Sequence, residues 1–159
     1  MYDCLRTLPA PIRYLAIDLG DKRTGLAVGD VETGFITPLE VIERSRTSQH
    51  AELLRAIADA IEEHGPDGLI IGLPLNMDGT EGDRAKIVSD LAVDLVQSTG
   101  LTMHFQDERL TSFAAEKHLD RSGRTHKQKK HLRDALAAAE ILRDFLATQT
   151  NRPSPDDGD

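Results

Sequence analysis

The sequence feature that most constrains the fold is a change of hydrophobic period close to residue 48. Before this point, three short apolar runs rich in β-branched residues are separated by turn signals, at residues 13–19, 24–30 and 34–43. Such runs predict an antiparallel meander of three strands. After it, apolar residues recur at helical spacing, and helical segments alternate with short apolar runs. The pattern predicts an α/β domain whose later strands are joined by crossing helices.

Two further strands complete the predicted sheet. Residues 68–74 are apolar without alternation, as in a strand buried on both faces, and residues 101–107 form the fifth run. Pro38 predicts that the third strand lies at an edge of the sheet, because proline cannot donate to a central ladder. Gly25 and Gly29 in the second strand predict a bulge or the close approach of another backbone.

Four helices are predicted after the change of period. The first precedes the fourth strand, and the second has capping-box spacing between Thr80 and Asp83 and ends at Gly100. A short third helix begins near residue 112, and a long, alanine-rich fourth helix covers residues 132–146. The element order is therefore βββαβαβαα, which predicts a mixed five-stranded sheet with helices on both faces.

The length of 159 residues predicts one domain. We expect it to span residues 1–148 and to be followed by a disordered acidic tail, residues 149–159, whose composition cannot bury apolar surface. Cys4 is the single cysteine, so an intramolecular disulfide is excluded. The sequence has no signal-peptide pattern and no run of about 18 apolar residues. We therefore expect a cytoplasmic protein without a membrane partner.

The charge of the chain is unevenly distributed. A formal net charge of −8 argues against a nucleic-acid partner, because phosphate binding usually requires a basic surface. Residues 121–133, here called the basic segment, contain six lysines and arginines, two histidines and no acid. This segment is either a solvated loop and helix start or a local surface for a polyanion.

Three acids are candidates for a functional site. Asp18 shares one face of the first strand with Tyr14 and Ala16, and a half-buried carboxylate needs a partner, a hydrogen bond or a metal ion. Glu108 follows the fifth strand, on the side where α/β sheets place ligands. Asp134 stands beside the apolar stripe of the last helix, although aspartate is a poor residue for a helix interior.

Each acid also has a purely structural interpretation. Asp18 could accept N–H groups of the turn that follows it, Glu108 could stabilise a helix N-terminus, and Asp134 could pair with Lys130 one turn earlier. Adjacent residues of a strand point to opposite faces, so only one of Asp107 and Glu108 is expected to join Asp18.

The three acids would supply only oxygen ligands. Such a set favours Mg²⁺ or Mn²⁺, which keep several waters and accept one or two carboxylates together with substrate phosphate oxygens. Two such ions, roughly 4 Å apart, can bind the attacking water and the leaving oxygen of a phosphodiester displacement. The sequence has no Cys/His cluster, no GxxxxGK[ST] loop and no G-x-S-x-G elbow, so the main competing site types lack their parts.

Four stretches of the chain resemble the YqgF family, also called RuvX. They occur in the order of that family, and together they cover about residues 13–146. The stretches are D-L-G-D-K-R-T-G-L-A-V-G (18–29), I-I-G-L-P-L-N-M-D-G-T-E-G (70–82), D-E-R-L-T-S (107–112) and D-A-L-A-A-A-E-I-L (134–142). The resemblance implies an RNase H-like fold related to the resolvase RuvC. It also implies a cytoplasmic bacterial protein of a family described both as Holliday junction resolvases and as nucleases that mature the 16S rRNA precursor.

The resemblance also assigns the acidic site. The family's acids fall on Asp18, Glu108 and Asp134, which implies that these three residues are both catalytic and metal-binding. The chain departs from the family pattern at Ala135, where a serine is common, and at residues 131–133, where His-Leu-Arg replaces a Gly-Lys-hydrophobic lead. Neither departure removes a carboxylate.

Seven residues are predicted to contact nucleic acid. Some of them neighbour the acids in sequence, one lies in a turn-rich loop before a helix N-terminus, and three lie in the basic segment. They are Lys22, Arg23, Asn76, Arg109, Lys127, Lys129 and Lys130. The alternative for each is an ordinary surface residue.

These observations predict a metal-dependent endonuclease, a hydrolase of phosphodiester bonds that acts in 5′ maturation of the 16S rRNA precursor. The alternatives are a Holliday junction resolvase acting on four-way DNA and a non-catalytic RNA-binding or ribosome-assembly factor. An ATP-binding module is disfavoured, because one domain of this length lacks the second half of a nucleotide cleft. The expected partners are precursor rRNA or branched DNA, with ribosomal precursor particles as a further partner. The protein is expected to be a monomer or a homodimer, since symmetric cutting of two strands would call for a dimer.

Overall fold

The computed structural model describes residues 12–43, 50–109 and 126–150. Within these ranges the chain forms five strands and three helices. They are β1 (Arg13–Leu19), β2 (Arg23–Asp30), β3 (Ile36–Glu43), α1 (His50–His64), β4 (Gly68–Leu73), α2 (Asp83–Thr99), β5 (Thr102–Asp107) and α3 (His126–Thr150). This order agrees with the prediction, except that the short helix predicted near residue 112 lies outside the described residues.

The strands form one mixed sheet in the order β3-β2-β1-β4-β5. The strands β1, β2 and β3 are antiparallel neighbours, whereas β4 and β5 run parallel to β1. Pro38 therefore lies in an edge strand, as predicted. The β2–β3 register shifts between Gly25 and Ala27, which confirms the predicted irregularity in β2. Because β1, β4 and β5 are parallel, their carboxyl ends meet at the same edge of the sheet.

The two faces of the sheet bury separate apolar cores, which follow from the alternation of side chains along β1. Leu15, Ile17 and Leu19 pack with the buried faces of α1 and α2. Tyr14 and Ala16 pack on the other face against α3. Burying one large apolar side chain contributes about 1.5–3 kcal/mol, so the two cores fix the positions of the helices relative to the sheet. Helices thus cover both faces, as predicted.

The ends of α2 show one correct and one wrong prediction. Gly100 ends the helix in the left-handed region, at φ 70°, and its N–H donates to the carbonyl of Val96, which confirms the predicted stop. The capping box between Thr80 and Asp83 is absent, because the N-cap residue is Gly82, which makes no side-chain cap. The Thr80 hydroxyl instead donates to Asp78 Oδ1 at 2.6 Å, within the preceding loop.

The last helix continues to Thr150, two residues beyond the boundary predicted for the domain. Residues 151–159 lie outside the described residues, so a disordered tail there stays a prediction. No helix in the described ranges combines the length and the apolar character that crossing a membrane requires.

Candidate active site

Asp18 and Glu108 meet at the edge of the sheet where the parallel strands end. Asp18 is the last residue but one of β1, and Glu108 directly follows β5. Their carboxyl groups share a hydrogen bond. Burial of Glu108, together with the hydrogen bond and the negative charge of Asp18, raises the pKa of Glu108 to about 9. The pair therefore favours one shared proton over two negative charges.

A glycine in the central strand β4 makes room for this pair. A Cβ atom at Gly72 would overlap with the Glu108 carboxylate, so only glycine lets that side chain lie directly over the β4 backbone. The Glu108 N–H donates to the Leu73 carbonyl at 3.2 Å and holds the residue beside the end of β4. The carboxyl group is thereby directed across β4 toward Asp18 on β1.

Asp134 approaches the same region from α3. Gly25 lies opposite Asp18 in the β1–β2 ladder, and a Cβ atom at Gly25 would overlap with the Asp134 carbonyl oxygen. The helix backbone therefore lies directly on β2, one strand away from Asp18. The Asp134 carboxylate forms an ion pair with Arg23, with 2.8 Å between Oδ2 and Nε. Both side chains are mostly buried, with 20% of Arg23 and 26% of Asp134 exposed.

The structure thus joins two of the three predicted acids directly and places the third beside them. Among the described residues, no group of three or more His, Cys, Asp and Glu side chains is arranged to hold a metal ion. Asp134 differs from the other two acids because its carboxylate faces Arg23. The alternative partner predicted for Asp134, the Lys130 side chain, lies outside the described structure.

The neighbouring acid Asp107 has a different role from Glu108. Its carboxylate is 2.6 Å from Arg109 Nη2, and it accepts a hydrogen bond of 2.8 Å from Arg109 Nε. The hydrogen bonds from Arg109 lower the pKa of Asp107. The two adjacent acids therefore have different partners, in line with the opposite faces that adjacent strand residues present.

The residues predicted to contact nucleic acid are found in four situations. Lys22 is exposed in the turn between β1 and β2, whereas Arg23 and Arg109 are engaged by Asp134 and Asp107. The Asn76 amide donates to Thr80 Oγ1 at 3.0 Å. Lys127, Lys129 and Lys130 lie in the first turns of α3, and their side chains lie outside the described structure.

The loop before α2 is a small hydrogen-bonded hairpin. Leu75 and Glu81 form an isolated antiparallel bridge. The N–H of Asn76 donates to the Thr80 carbonyl at 2.9 Å, and the N–H of Gly79 donates to the Asn76 carbonyl at 2.8 Å. Gly79 has φ 84°, which a glycine adopts without strain. The loop is therefore held in one conformation beside the end of β4.

Sequence reasoning missed Arg84 in the first turn of α2. Its guanidinium is close enough to lower the pKa of Glu108, against the larger effects that raise it. Its Nη2 also lies 3.8 Å from Asp21 Oδ1, in the turn after β1. Arg84 is distant in sequence from all three acids, but it follows the G-L-P-L-N-M-D-G-T-E-G stretch, and this position was the available signal.

The mixed five-stranded sheet with helices on both faces defines a protein of the RNase H-like class, and two acids meet at the edge where its parallel strands end. Solved structures support this fold. RuvC of T. thermophilus in complex with a Holliday junction substrate gives a TM-score of 0.55 at 15% identity and covers 90% of this chain and 99% of that chain. The fowlpox virus Holliday junction resolvase gives 0.54 at 12% identity, with 86% and 99% covered.

The family model RuvX, described as Holliday junction resolvase, matches residues 12–148, and the chain belongs to this family. A protein of Paramagnetospirillum magneticum is 37% identical over 144 residues, which are 91% of each chain. One of Ruegeria pomeroyi is 40% identical over 139 residues, which are 87% of this chain and 88% of the relative. Both relatives carry the name "Putative pre-16S rRNA nuclease". The chain is accordingly a hydrolase of phosphodiester bonds, and its substrate is a nucleic acid.

Proposed function

We propose that this chain is a divalent-metal-dependent endonuclease that acts in 5′ maturation of the 16S rRNA precursor, with Asp18, Glu108 and Asp134 as its acidic site. The observation that carries the proposal is the hydrogen-bonded pair of carboxyl groups at the ends of β1 and β5. Natural proteins rarely bury two acids against each other unless a cation or a shared proton compensates the repulsion.

The residues present fit a hard divalent cation. The donor groups are carboxylate oxygens, which Mg²⁺ and Mn²⁺ prefer, and Mg²⁺ commonly uses only one or two carboxylates from the protein. After Glu108 gives up its proton, the pair carries two negative charges, which one dication matches. Gly72 and Gly25 leave no side chain between the acids and the sheet backbone. Asp134 would join as a third oxygen donor by turning its carboxylate away from Arg23.

The chain's own groups would have distinct tasks in the reaction. A bound Mg²⁺ or Mn²⁺ would supply an activated water and stabilise charge on the phosphate oxygens. Asp18 and Glu108 would hold the cation at the edge of the sheet, and burial of Glu108 would exclude bulk water from that side. Lys22, exposed in the turn after β1, would contact a neighbouring phosphate of the substrate.

The choice of rRNA as substrate is supported by the names of the relatives, whereas the family description favours a four-way DNA junction as the second candidate. One active site is sufficient for cutting RNA once, but symmetric cutting of a junction needs two sites in a dimer. We propose a cytoplasmic protein that acts on precursor rRNA, free or in ribosomal precursor particles.

The decisive experiment compares both substrates with the same purified protein. A 16S rRNA precursor that carries its 5′ extension, a four-way DNA junction and a linear DNA duplex are incubated with Mg²⁺, with Mn²⁺ or with EDTA. The expected result is metal-dependent cleavage of the 5′ extension and no cleavage in EDTA. Cleavage of the junction alone would support the resolvase instead. Binding of precursor rRNA without cleavage in either metal would support a non-catalytic assembly factor.

A further inference from the structure

A small niche opens beside the acid pair, between the turn after β1 and the first turns of α2. Its volume is about 160 Å³. Six residues line it: Leu19, Gly20, Asp21, Arg84, Ile87 and Val88. Leu19 points to the opposite face of the sheet from Asp18. Arg84, which lines the niche, is nevertheless close enough to Glu108 for their charges to interact, so the niche lies near the proposed site of cleavage.

The niche combines an apolar floor with a polar rim. Leu19 and Val88 are buried and form the floor, and Ile87 is 56% exposed and forms a wall. Asp21 and Arg84 stand at the rim, with 84% and 60% of their side chains exposed. Asp21 Oδ1 and Arg84 Nη2 form a loose ion pair at 3.8 Å. This distance is longer than a hydrogen bond, so the carboxylate can still accept, and the guanidinium can still donate, hydrogen bonds to a ligand.

This arrangement has the chemistry of a receptor for one flat ring with a polar edge. The volume corresponds to about five water molecules, which admits part of a single base and excludes a base pair. The apolar floor suits the ring face, as in the recognition of unstacked bases of single-stranded nucleic acid. Adjacent acceptor and donor groups at the rim would select among the four bases.

Guanine is the base that matches this rim. It presents two adjacent donors, N1–H and the N2 amine, to a carboxylate, and the acceptors O6 and N7 to a guanidinium. Adenine, cytosine and uracil do not offer two adjacent donors on one edge. A guanidinium and a carboxylate only 3.8 Å apart can reach neighbouring atoms of one guanine, O6 and N1–H.

We propose that this niche binds one unpaired guanine of the substrate, with Arg84 donating to O6 and Asp21 accepting from N1–H and the N2 amine. The inference rests on the proposed function, because it makes the niche part of a nuclease site. Since the Watson–Crick edge is occupied by Asp21, the guanine cannot be base-paired. The substrate must then have a single-stranded guanine close to the cleaved bond.

The test measures base binding separately from cleavage. Full-length ¹⁵N-labelled protein in EDTA is titrated with GMP, AMP, CMP or UMP, and amide shifts at residues 20–21 and 84–88 are followed. We expect GMP to bind about 5- to 150-fold more tightly than the other three nucleotides, the discrimination of one bidentate contact. Inosine monophosphate, which lacks the N2 amine, should bind more weakly than GMP.

Matched variants assign the selectivity to the rim. Asp21→Asn and Arg84→Lys should each reduce the preference for GMP, whereas Asp59→Asn and Arg55→Lys, exposed on α1, should leave it unchanged. Equal binding of all four nucleotides, or shifts confined to other parts of the chain, would overturn the inference. If the protein selects GMP but cleaves nothing, the proposed function fails alone. If it cleaves precursor rRNA without selecting GMP, the niche inference fails alone.

Discussion

At the scale of single residues, the Glu108 carboxyl shows how the fold sets the chemistry of a side chain. The same group at an exposed position would be ionised at neutral pH. Here burial and the neighbouring Asp18 favour the protonated form, and Arg84 opposes this only in part. Perturbed carboxyls of this kind cluster at functional sites, because chemistry needs the charges that folding alone disfavours.

The three acids should be individually required for cleavage. Asp18→Asn, Glu108→Gln and Asp134→Asn each replace a carboxyl group, the proposed metal ligand, by an amide of nearly the same volume. Each should lower the rate by more than the roughly 10- to 100-fold typical of residues that only support metal ligands. Asp107→Asn is the matched control, since its carboxylate pairs with Arg109, and it should be much milder. Cleavage is measured on the precursor rRNA, with folding checked by circular dichroism.

Full activity in any of the three purified variants would remove that residue from the proposed site. An inactive Asp107→Asn together with an active Glu108→Gln would reverse the assignment of the two adjacent acids.

The raised pKa of Glu108 also predicts how stability depends on pH in the metal-free protein. Because the folded pKa of about 9 lies above the ordinary glutamate value of 4.5, the contribution to stability is fully present below pH 4.5 and is lost as pH rises through 9. One pKa unit corresponds to about 1.4 kcal/mol, so the loss should be at least this large, or about 3–6 °C in Tm. Thermal unfolding in EDTA between pH 5 and 9 measures it. The Glu108→Gln variant should show a smaller fall over this range, and an identical fall in both proteins would contradict the assignment.

At the scale of elements, two glycines control how closely the acids approach the sheet. In Gly72→Ala the new Cβ meets the movable Glu108 side chain, whereas in Gly25→Ala it meets the backbone carbonyl of Asp134. We therefore expect Gly72→Ala to lose cleavage with little loss of stability. Gly25→Ala should lower stability by about 1–3 kcal/mol, as overpacking commonly does, because α3 must move off β2.

Urea unfolding and cleavage are measured for both glycine variants, and each variant is the control for the other. If Gly72→Ala and Gly25→Ala lower the free energy of unfolding equally, the Glu108 side chain cannot move aside. The expected difference between a side-chain contact and a backbone contact would then be wrong.

The basic segment, residues 121–133, is the second element to which a prediction applies, and the prediction concerns binding of a polyanionic substrate. The proposed acidic site, in a chain of net charge −8, would repel a polyanion, so binding would require a local positive surface. Each phosphate contact contributes about −0.9 to the slope of log affinity against log salt for duplex DNA and about −0.7 for single strands. The triple change of Lys127, Lys129 and Lys130 to alanine should flatten that slope by about two to three units. Turnover at saturating substrate should change far less.

Fluorescence anisotropy at several salt concentrations provides the slope. Arg143→Ala, which removes an exposed cation later in α3, is the matched control and should leave it unchanged. An unaltered slope in the triple variant would identify the segment as ordinary solvated surface.

At the scale of the whole molecule, the substrate and the number of active sites are linked. Cutting precursor RNA on one strand needs one site, so we expect light scattering to give the mass of a single chain at the concentrations used for cleavage. The rate should then rise in proportion to protein concentration. A stable dimer whose two sites cut a four-way junction symmetrically would favour the resolvase over the rRNA nuclease.

The sequence by itself determined the five strands and three helices of the described residues and their order, because local patterns carry that information. Alternation in residues 13–19 predicted β1, Pro38 predicted an edge strand, and Gly100 predicted the end of α2. The resemblance of four motifs assigned the three acids to one site, and that assignment stays a prediction. The prediction of a capping box at the start of α2 was wrong because the Thr80 hydroxyl donates to the nearer Asp78. Such competition between local hydrogen bonds is not visible in residue spacing alone.

Only the tertiary structure decided which side chains meet. The ion pair of Arg23 with Asp134, the approach of Arg84 to Glu108 and the space that Gly72 provides all join residues that are distant in sequence. They depend on strand register and on the position of α3 on β2, because a shift of one residue would turn each side chain to the opposite face. The strand register and the position of α3 are set by the total burial of apolar side chains in the two cores. No local sequence pattern encodes that total.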